Sequence, residues 1–226
     1  MPSAYHPDFG GVVNYSIQEL PGSSDGQVRS TVNQVIGYIR QDARSPFIQE
    51  EARKMLALSP DPNQALWSLL KPSMNFKRDE AIAEDLAVDD KRKPDIIEVL
   101  IRPIDQWLLI KMRGLGIGDC DCWNMYGACL LTALGIPCSL ATVSADEERP
   151  GEYSHIYLVS YLNGRRTPLD ISHGEHVGWE CPNLGRMKEW KVNITRSDQI
   201  WEGALAIGFF AAAWLSLKWI DRRSTA

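Results

Sequence analysis

The twelve residues from Trp123 to Leu134 carry no charge. A helix that is apolar all round has no face to offer water, so it must lie inside the molecule with other elements packed about it. Its ends are marked too. Gly114, Gly116 and Gly118 punctuate the approach, Asp119-Cys120-Asp121-Cys122 opens the segment, and Gly135-Ile136-Pro137 closes it with a glycine and then a proline that cannot continue a helix. The rest of the chain has to wrap this helix.

Three strand-like segments follow, at 138–143, 155–162 and 166–169. Asn163-Gly164 joins the last two, a pair suited to the positive φ angles of a tight hairpin. The predicted core is therefore one buried helix backed by a small antiparallel sheet, an α+β arrangement.

Upstream the pattern reads as helical. Val28, Val32, Val35, Ile36 and Ile39 recur at spacings of three and four, which predicts a helix over 27–40. Ser45-Pro46 supplies an N-cap and a first-turn proline for a helix over 46–58, and Ser59-Pro60 stops it. Further helices are predicted at 64–70 and 79–88. The stripe Ile96, Ile97, Leu100, Ile101, Ile104, Trp107, Leu108 and Met112 reads as a longer helix that Pro103 must kink or divide. Residues 1–26, rich in Pro, Gly, Ser and Asp, read as an extended arm. The expected organisation is an arm over 1–26, a helical region over 27–113, a core unit over 114–195 and an apolar helix over 200–221.

That last segment admits two readings. Gly203 to Leu217 has no charge and is flanked by Trp201, Trp219, Arg222 and Arg223, in the manner of interfacial anchors. Fifteen helical residues span about 22 Å, short of a roughly 30 Å hydrocarbon core, and Trp201–Ile220 reaches it only if Lys218 snorkels. The segment is either a membrane anchor or an apolar docking helix.

Composition narrows the partners. With 24 Lys and Arg against 29 Asp and Glu the net charge is −5, and no basic face stands out to neutralise phosphates, so nucleic acid is not an expected partner. Hydrophobic residues at 44 % and charged residues at 23 % exclude a disordered chain. Five cysteines, four of them crowded between 120 and 138, do not read as a secreted disulfide framework. The first residues lack a basic and an apolar region of signal-peptide type. A reducing cytoplasm is the expected setting.

Cys120 sits at the predicted start of the buried helix, where unpaired N–H groups and the dipole favour an anion and are expected to lower the thiol pKa. A cysteine nucleophile also needs a base and a group to orient that base. His155 opens one strand of the hairpin and Asp170 ends the other, so antiparallel pairing brings them to one edge. Asp170 would hold one imidazole nitrogen while the other faces Cys120. Of the other histidines, His6 lies in the arm, and His173 and His176 lie in a glycine-containing loop.

The segments Gly118-Asp119-Cys120-Asp121, Ala133-Leu134-Gly135-Ile136-Pro137-Cys138, Ser154-His155-Ile156-Tyr157 and Pro168-Leu169-Asp170 resemble the transglutaminase-like cysteine protease superfamily, closest to its small bacterial and phage-encoded members. The likeness covers residues 115–172. It implies a papain-like core in which the cysteine caps the central helix and the histidine and aspartate come from neighbouring strands. Cys122, followed by Trp123, competes for the nucleophile's role. In the superfamily about fourteen residues separate the nucleophile from the helix-closing Gly-Ile-Pro; fourteen follow Cys120 and twelve follow Cys122, which favours Cys120.

Two metal readings accompany this. Cys120, Cys122, Cys181 and a histidine offer zinc ligands, but Cys-x-Cys is tighter than the usual knuckle and has no second pair. Some bacterial relatives bind calcium with acids flanking the nucleophile. Asp119 and Asp121 match that arrangement, whereas Cys122 stands where another acid often occurs; the bland alternative is that both aspartates serve the helix start. No cofactor is called for. Trp179, Trp190 and the acidic loop 145–153 are expected to wall the cleft.

The sequence thus predicts thiol-dependent acyl transfer on peptide or side-chain amides through Cys120, His155 and Asp170, with hydrolysis as the default and transamidation as the variant. The substrate would be a protein or peptide, and the setting cytoplasmic or virion-associated, with the C-terminal helix as an anchor if it spans a membrane. The alternative is a non-catalytic structural or assembly protein, in a phage particle, that keeps the same core.

Overall fold

The structure, a computed structural model, describes residues 3–6, 11–19, 25–85 and 97–193. In chain order the elements are β1 (Ser3–His6), β2 (Gly11–Glu19), α1 (Asp25–Asp42), α2 (Pro46–Met55), α3 (Pro62–Leu70), β3 (Met74–Phe76), α4 (Asp79–Asp85), β4 (Ile97–Ile101), α5 (Pro103–Arg113), β5 (Gly116–Gly118), α6 (Cys120–Ala133), β6 (Cys138–Val143), β7 (His155–Leu162), β8 (Arg165–Leu169) and β9 (Met187–Lys191). The chain is a mixed assembly of helices and small sheets. The apolar helix expected over 200–221 lies outside the described residues. Among the described residues no helix is long and apolar enough to cross a membrane.

Helix α6 occupies the centre. Every residue from Asp121 to Leu131 is buried, and Trp123, Cys129 and Leu130 have no exposed surface. On one side it meets Val35 and Ile39 of α1, Ile48 and Ala52 of α2, and Leu66 and Leu70 of α3; on the other it meets Leu140, Leu158 and Leu169 of the sheet. Each such side chain removed from water contributes about 1.5–3 kcal/mol, so the uncharged run is the main organiser of the core. Gly135 ends α6 at φ 72°, with the Ile136 N–H donating to the Leu131 carbonyl at 2.9 Å.

The sheet runs β8-β7-β6-β9, antiparallel throughout. Asn163 at φ 53° and Gly164 at φ 76° form the tight hairpin between β7 and β8. The fourth strand, β9, is absent from the sequence reading, because Met187–Lys191 has no apolar alternation and only its pairing with β6 makes it a strand.

Two upstream segments differ from expectation. The stripe from Ile96 to Met112 is not one kinked helix: Ile97–Ile101 is a strand, and the helix starts at Pro103. A short run rich in β-branched residues is ambiguous between helix and strand. Pro103 also biases Arg102 toward extended backbone, here φ −64° and ψ 150°. The expected arm contains β2, which pairs antiparallel with β4, Tyr15 opposite Ile101 and Glu19 opposite Ile97. Strand β4 also hydrogen-bonds the start of α6, so these segments bear on the site.

Candidate active site

The approach to Cys120 is held at both ends. Strand β5 pairs parallel with β3, and the Gln106 carboxamide of α5 clasps Ile117, donating to its carbonyl at 2.8 Å and accepting from its N–H at 3.2 Å. A Cβ on Gly118 would come within 2.4 Å of Cys122 Cβ, so only glycine lets the chain turn this tightly into α6. Asp119 is the N-cap and accepts from the Cys122 N–H at 3.4 Å.

The two competing cysteines point to different places. Cys120 is partly exposed and lines a cavity of about 630 Å³ together with Phe76, His155, His173, Trp179 and Cys181. Cys122 is fully buried against β4, where its sulfur accepts from the Ile101 N–H at 3.3 Å and donates to the Val99 carbonyl at 3.4 Å. The zinc set of Cys120, Cys122, Cys181 and a histidine is therefore not gathered around one point.

His155 and Asp170 meet across the open end of the hairpin. Nε2 of His155 lies 2.7 Å from Oδ2 of Asp170, whose side chain is wholly buried. The other oxygen, Oδ1, accepts from the Ser172 hydroxyl at 2.8 Å and from the His173 N–H at 3.0 Å. Burial pushes the Asp170 carboxyl up, but the bonds from His155, the His173 N–H and Ser172 together hold it below the usual carboxylate range. It is thus ionised at neutral pH and fixes Nε2 of His155 as a donor. Nδ1 is the nitrogen left to exchange a proton.

His173, passed over in the sequence, belongs to this site. Its ring meets that of His155 edge-on at 4.7 Å and that of Phe76 at 5.0 Å. Burial, and then the neighbouring His155, lower its pKa. Because the one hydroxyl proton of Ser172 goes to Asp170, the 3.0 Å contact between His173 Nδ1 and Ser172 Oγ has the ring as donor, leaving Nε2 as an acceptor. A loop histidine carries no periodicity to reveal it. Asn124 and Ser172, both buried, were missed for the same reason. Of the expected walls, Trp179, Ala145, Asp146 and Arg149 line the cavity, whereas Trp190 on β9 donates to Thr142 Oγ1 at 3.0 Å.

The electrostatics correct one expectation. The Cys120 thiol is not lowered: burial pushes it well up and the Asp119 charge adds to this, while the Ile156 N–H, which donates to the sulfur, is the opposing influence. A helix start favours thiolate only where the surroundings do not outweigh it. Here acids surround the cap.

Those acids form a cluster. One oxygen each from Asp79, Glu98 and Asp119 lies within 4.8 Å of the others, and Asp121 is hydrogen-bonded to Glu98. Oδ1 of Asp79, Oε1 of Glu98 and Oδ1 of Asp121 are buried without a hydrogen-bond partner among the described residues. Burial and the neighbouring charges push Asp79 up to about 10 and Glu98 up to about 6. Oxygens that share a calcium ion at about 2.3–2.6 Å stand no more than about 5 Å apart, so this all-oxygen set fits a hard divalent cation. The Cys122 sulfur, turned into β4, takes no part in it.

No protein-family model matches the chain. No curated protein matches it. Among solved structures it is similar to a proposed cysteine protease from Cytophaga hutchinsonii, at 14 % identity and a TM-score of 0.39, over 78 % of this chain and 60 % of that one. The chain thus spans less than two thirds of that structure's length. At that level of likeness, the functional reading rests on the geometry of this site.

Proposed function

We propose that the chain is a thiol-dependent acyl-transfer enzyme acting on amides, with Cys120 as nucleophile, His155 as proton carrier and Asp170 as the group that orients the imidazole. One observation carries the reading: Cys120 and His155 line the same cavity while Asp170 occupies the far nitrogen of the ring at 2.7 Å. This is the arrangement of nucleophile, base and orienting acid that covalent catalysis requires. The transglutaminase-like resemblance of residues 115–172 supports the same reading.

The raised thiol shapes the mechanism. Cys120 rests as the neutral thiol beside a neutral imidazole, so its proton moves to His155 Nδ1 as the sulfur–carbon bond forms. The resulting imidazolium, stabilised by Asp170, then gives that proton to the leaving amine as the carbon–nitrogen bond breaks. A thioester remains. Water, deprotonated by His155, releases the acid and restores the thiol; a substrate amine in its place yields a new amide. Hydrolysis is the default outcome. A divalent cation held by Asp79, Glu98, Asp119 and Asp121 would neutralise the acids around the helix cap.

The test compares wild-type protein and Cys120→Ala on a library of protein-derived peptides, with mass spectrometry scoring new termini, side-chain deamidation and, with cadaverine added, transfer to the amine. Cys120-dependent products support the proposal. It is overturned if no such product forms and iodoacetamide modifies Cys120 no faster than the buried Cys129.

A further inference from the structure

We infer that Asn124, one turn beyond the nucleophile in α6, is the positioning residue that sets the separation of Cys120 from His155 and Asp170. The inference rests on the acyl-transfer reading above. Asn124 is fully buried, and its carboxamide is bonded at both ends. Nδ2 donates to the carbonyl of Cys120 at 2.8 Å and to that of Ile156 at 3.1 Å, and it approaches Ser172 Oγ at 3.4 Å. Oδ1 accepts from the N–H of Leu158 at 3.1 Å and from that of Ile171 at 3.2 Å. One side chain therefore ties together the first residue of α6, the strand that begins with His155, and the residue that follows Asp170.

These bonds join the backbone of all three functional segments. Ile156, whose carbonyl Asn124 holds, donates its own N–H to the Cys120 sulfur. Ile171, whose N–H Asn124 receives, is adjacent to Asp170, and Ser172 donates to that carboxylate. The task needs two donors and a two-lone-pair acceptor on a short stem, which only a carboxamide supplies. Aspartate keeps the acceptor but loses both donors, and alanine loses everything. A displacement of about 1 Å in such a site costs on the order of 10²-fold in rate.

Three proteins, wild type, Asn124→Asp and Asn124→Ala, are treated with iodoacetamide from pH 6 to pH 10, and the rate at Cys120 is read by peptide mass spectrometry alongside circular dichroism and thermal melting. The wild type is expected to be alkylated at Cys120 at neutral pH in a His155-dependent manner. Its failure to do so would count against the acyl-transfer reading itself.

Given that reactivity, both variants are expected to lose about 10²-fold at pH 7 while folded, with the midpoint of the rate profile displaced. A purely structural asparagine would lower the melting temperature and leave the profile of the folded protein unchanged, and that result overturns the inference. Agreement between the uncharged alanine variant and the aspartate variant separates lost positioning from added charge. If neither variant folds at 10 °C, amide exchange of the wild-type Asn124 side chain decides. Protection of both protons supports the clamp, and exchange at the rate of an exposed amide overturns it.

Discussion

His155 and Asp170 are bonded at 2.7 Å although the strand ladder does not pair them. The β7–β8 register places Leu158 opposite Leu169 and ends there, so the two side chains meet diagonally just beyond the last pair. The acid reaches the ring because the chain after β8 turns back on itself: the His173 N–H and the Ser172 hydroxyl anchor Oδ1, and Lys71 Nζ donates to the carbonyls of Ile171 at 3.1 Å and Ser172 at 3.3 Å.

Asp170→Asn is the sharpest test of this pair. Asparagine preserves the shape but can no longer hold Nε2 as a donor, so the wrong imidazole tautomer is favoured and turnover is expected to fall about 10³–10⁴-fold. A loss of tenfold or less, measured on the first peptide substrate identified, would remove Asp170 from the mechanism. The same carboxyl contributes to acid stability. Its folded pKa lies below the unfolded value of 3.8, so its contribution is present above that pH and disappears as the pH falls through the folded value.

Cys122→Ala is expected to keep both the neutral-pH reactivity of Cys120 and any peptide activity, because its sulfur engages only β4. The change leaves the Ile101 N–H without that sulfur and opens a small void, for a cost of about 1–2 kcal/mol, seen as a fall of about 2–8 °C in melting temperature. Loss of activity as complete as for Cys120→Ala would transfer the nucleophile's role to Cys122.

The carboxylate cluster carries a pH signature. Asp79 and Glu98 are raised from 3.8 and 4.5 to about 10 and about 6. Between the unfolded and folded values the native state binds more protons than the unfolded chain, so this contribution is full below about pH 4, falls as the pH rises and is lost once the folded values are passed. The melting temperature should be higher at pH 5.5 than at pH 9, with Asp79→Asn flattening the difference. If the cluster takes a divalent cation, 5 mM CaCl2 raises the melting temperature at pH 9 by at least about 3 °C and EDTA reverses it. An equal effect of calcium on the triple variant Asp79→Asn, Glu98→Gln, Asp121→Asn would show that the ion acts elsewhere.

Gly118→Ala puts a methyl group where only 2.4 Å separates it from Cys122 Cβ. Overpacking against α6 should cost about 1–3 kcal/mol and displace the first turn of the helix. Cys120 reactivity should fall more than stability alone explains, measured as the alkylation rate of the folded protein. Unchanged reactivity and melting would show that the turn into α6 yields freely.

Much of the core is legible in one dimension. The uncharged run at 123–134 can satisfy itself only as a buried helix, Gly135 marks its end, and Asn163-Gly164 determines a hairpin whose register carries His155 and Asp170 to the same end. These are local properties: propensity, periodicity and turn chemistry act between residues close in sequence. Strand β4, strand β9, the clasp of Gln106 on Ile117 and the gathering of Asp79 and Glu98 near Asp119 depend on partners far away along the chain, so no local pattern announces them. The ionisation of Cys120 belongs with them. Its helix-start position is written in the sequence and favours thiolate, but the burial and the acids that raise the thiol arise only when the chain folds, because desolvation and charge act through space rather than along the backbone.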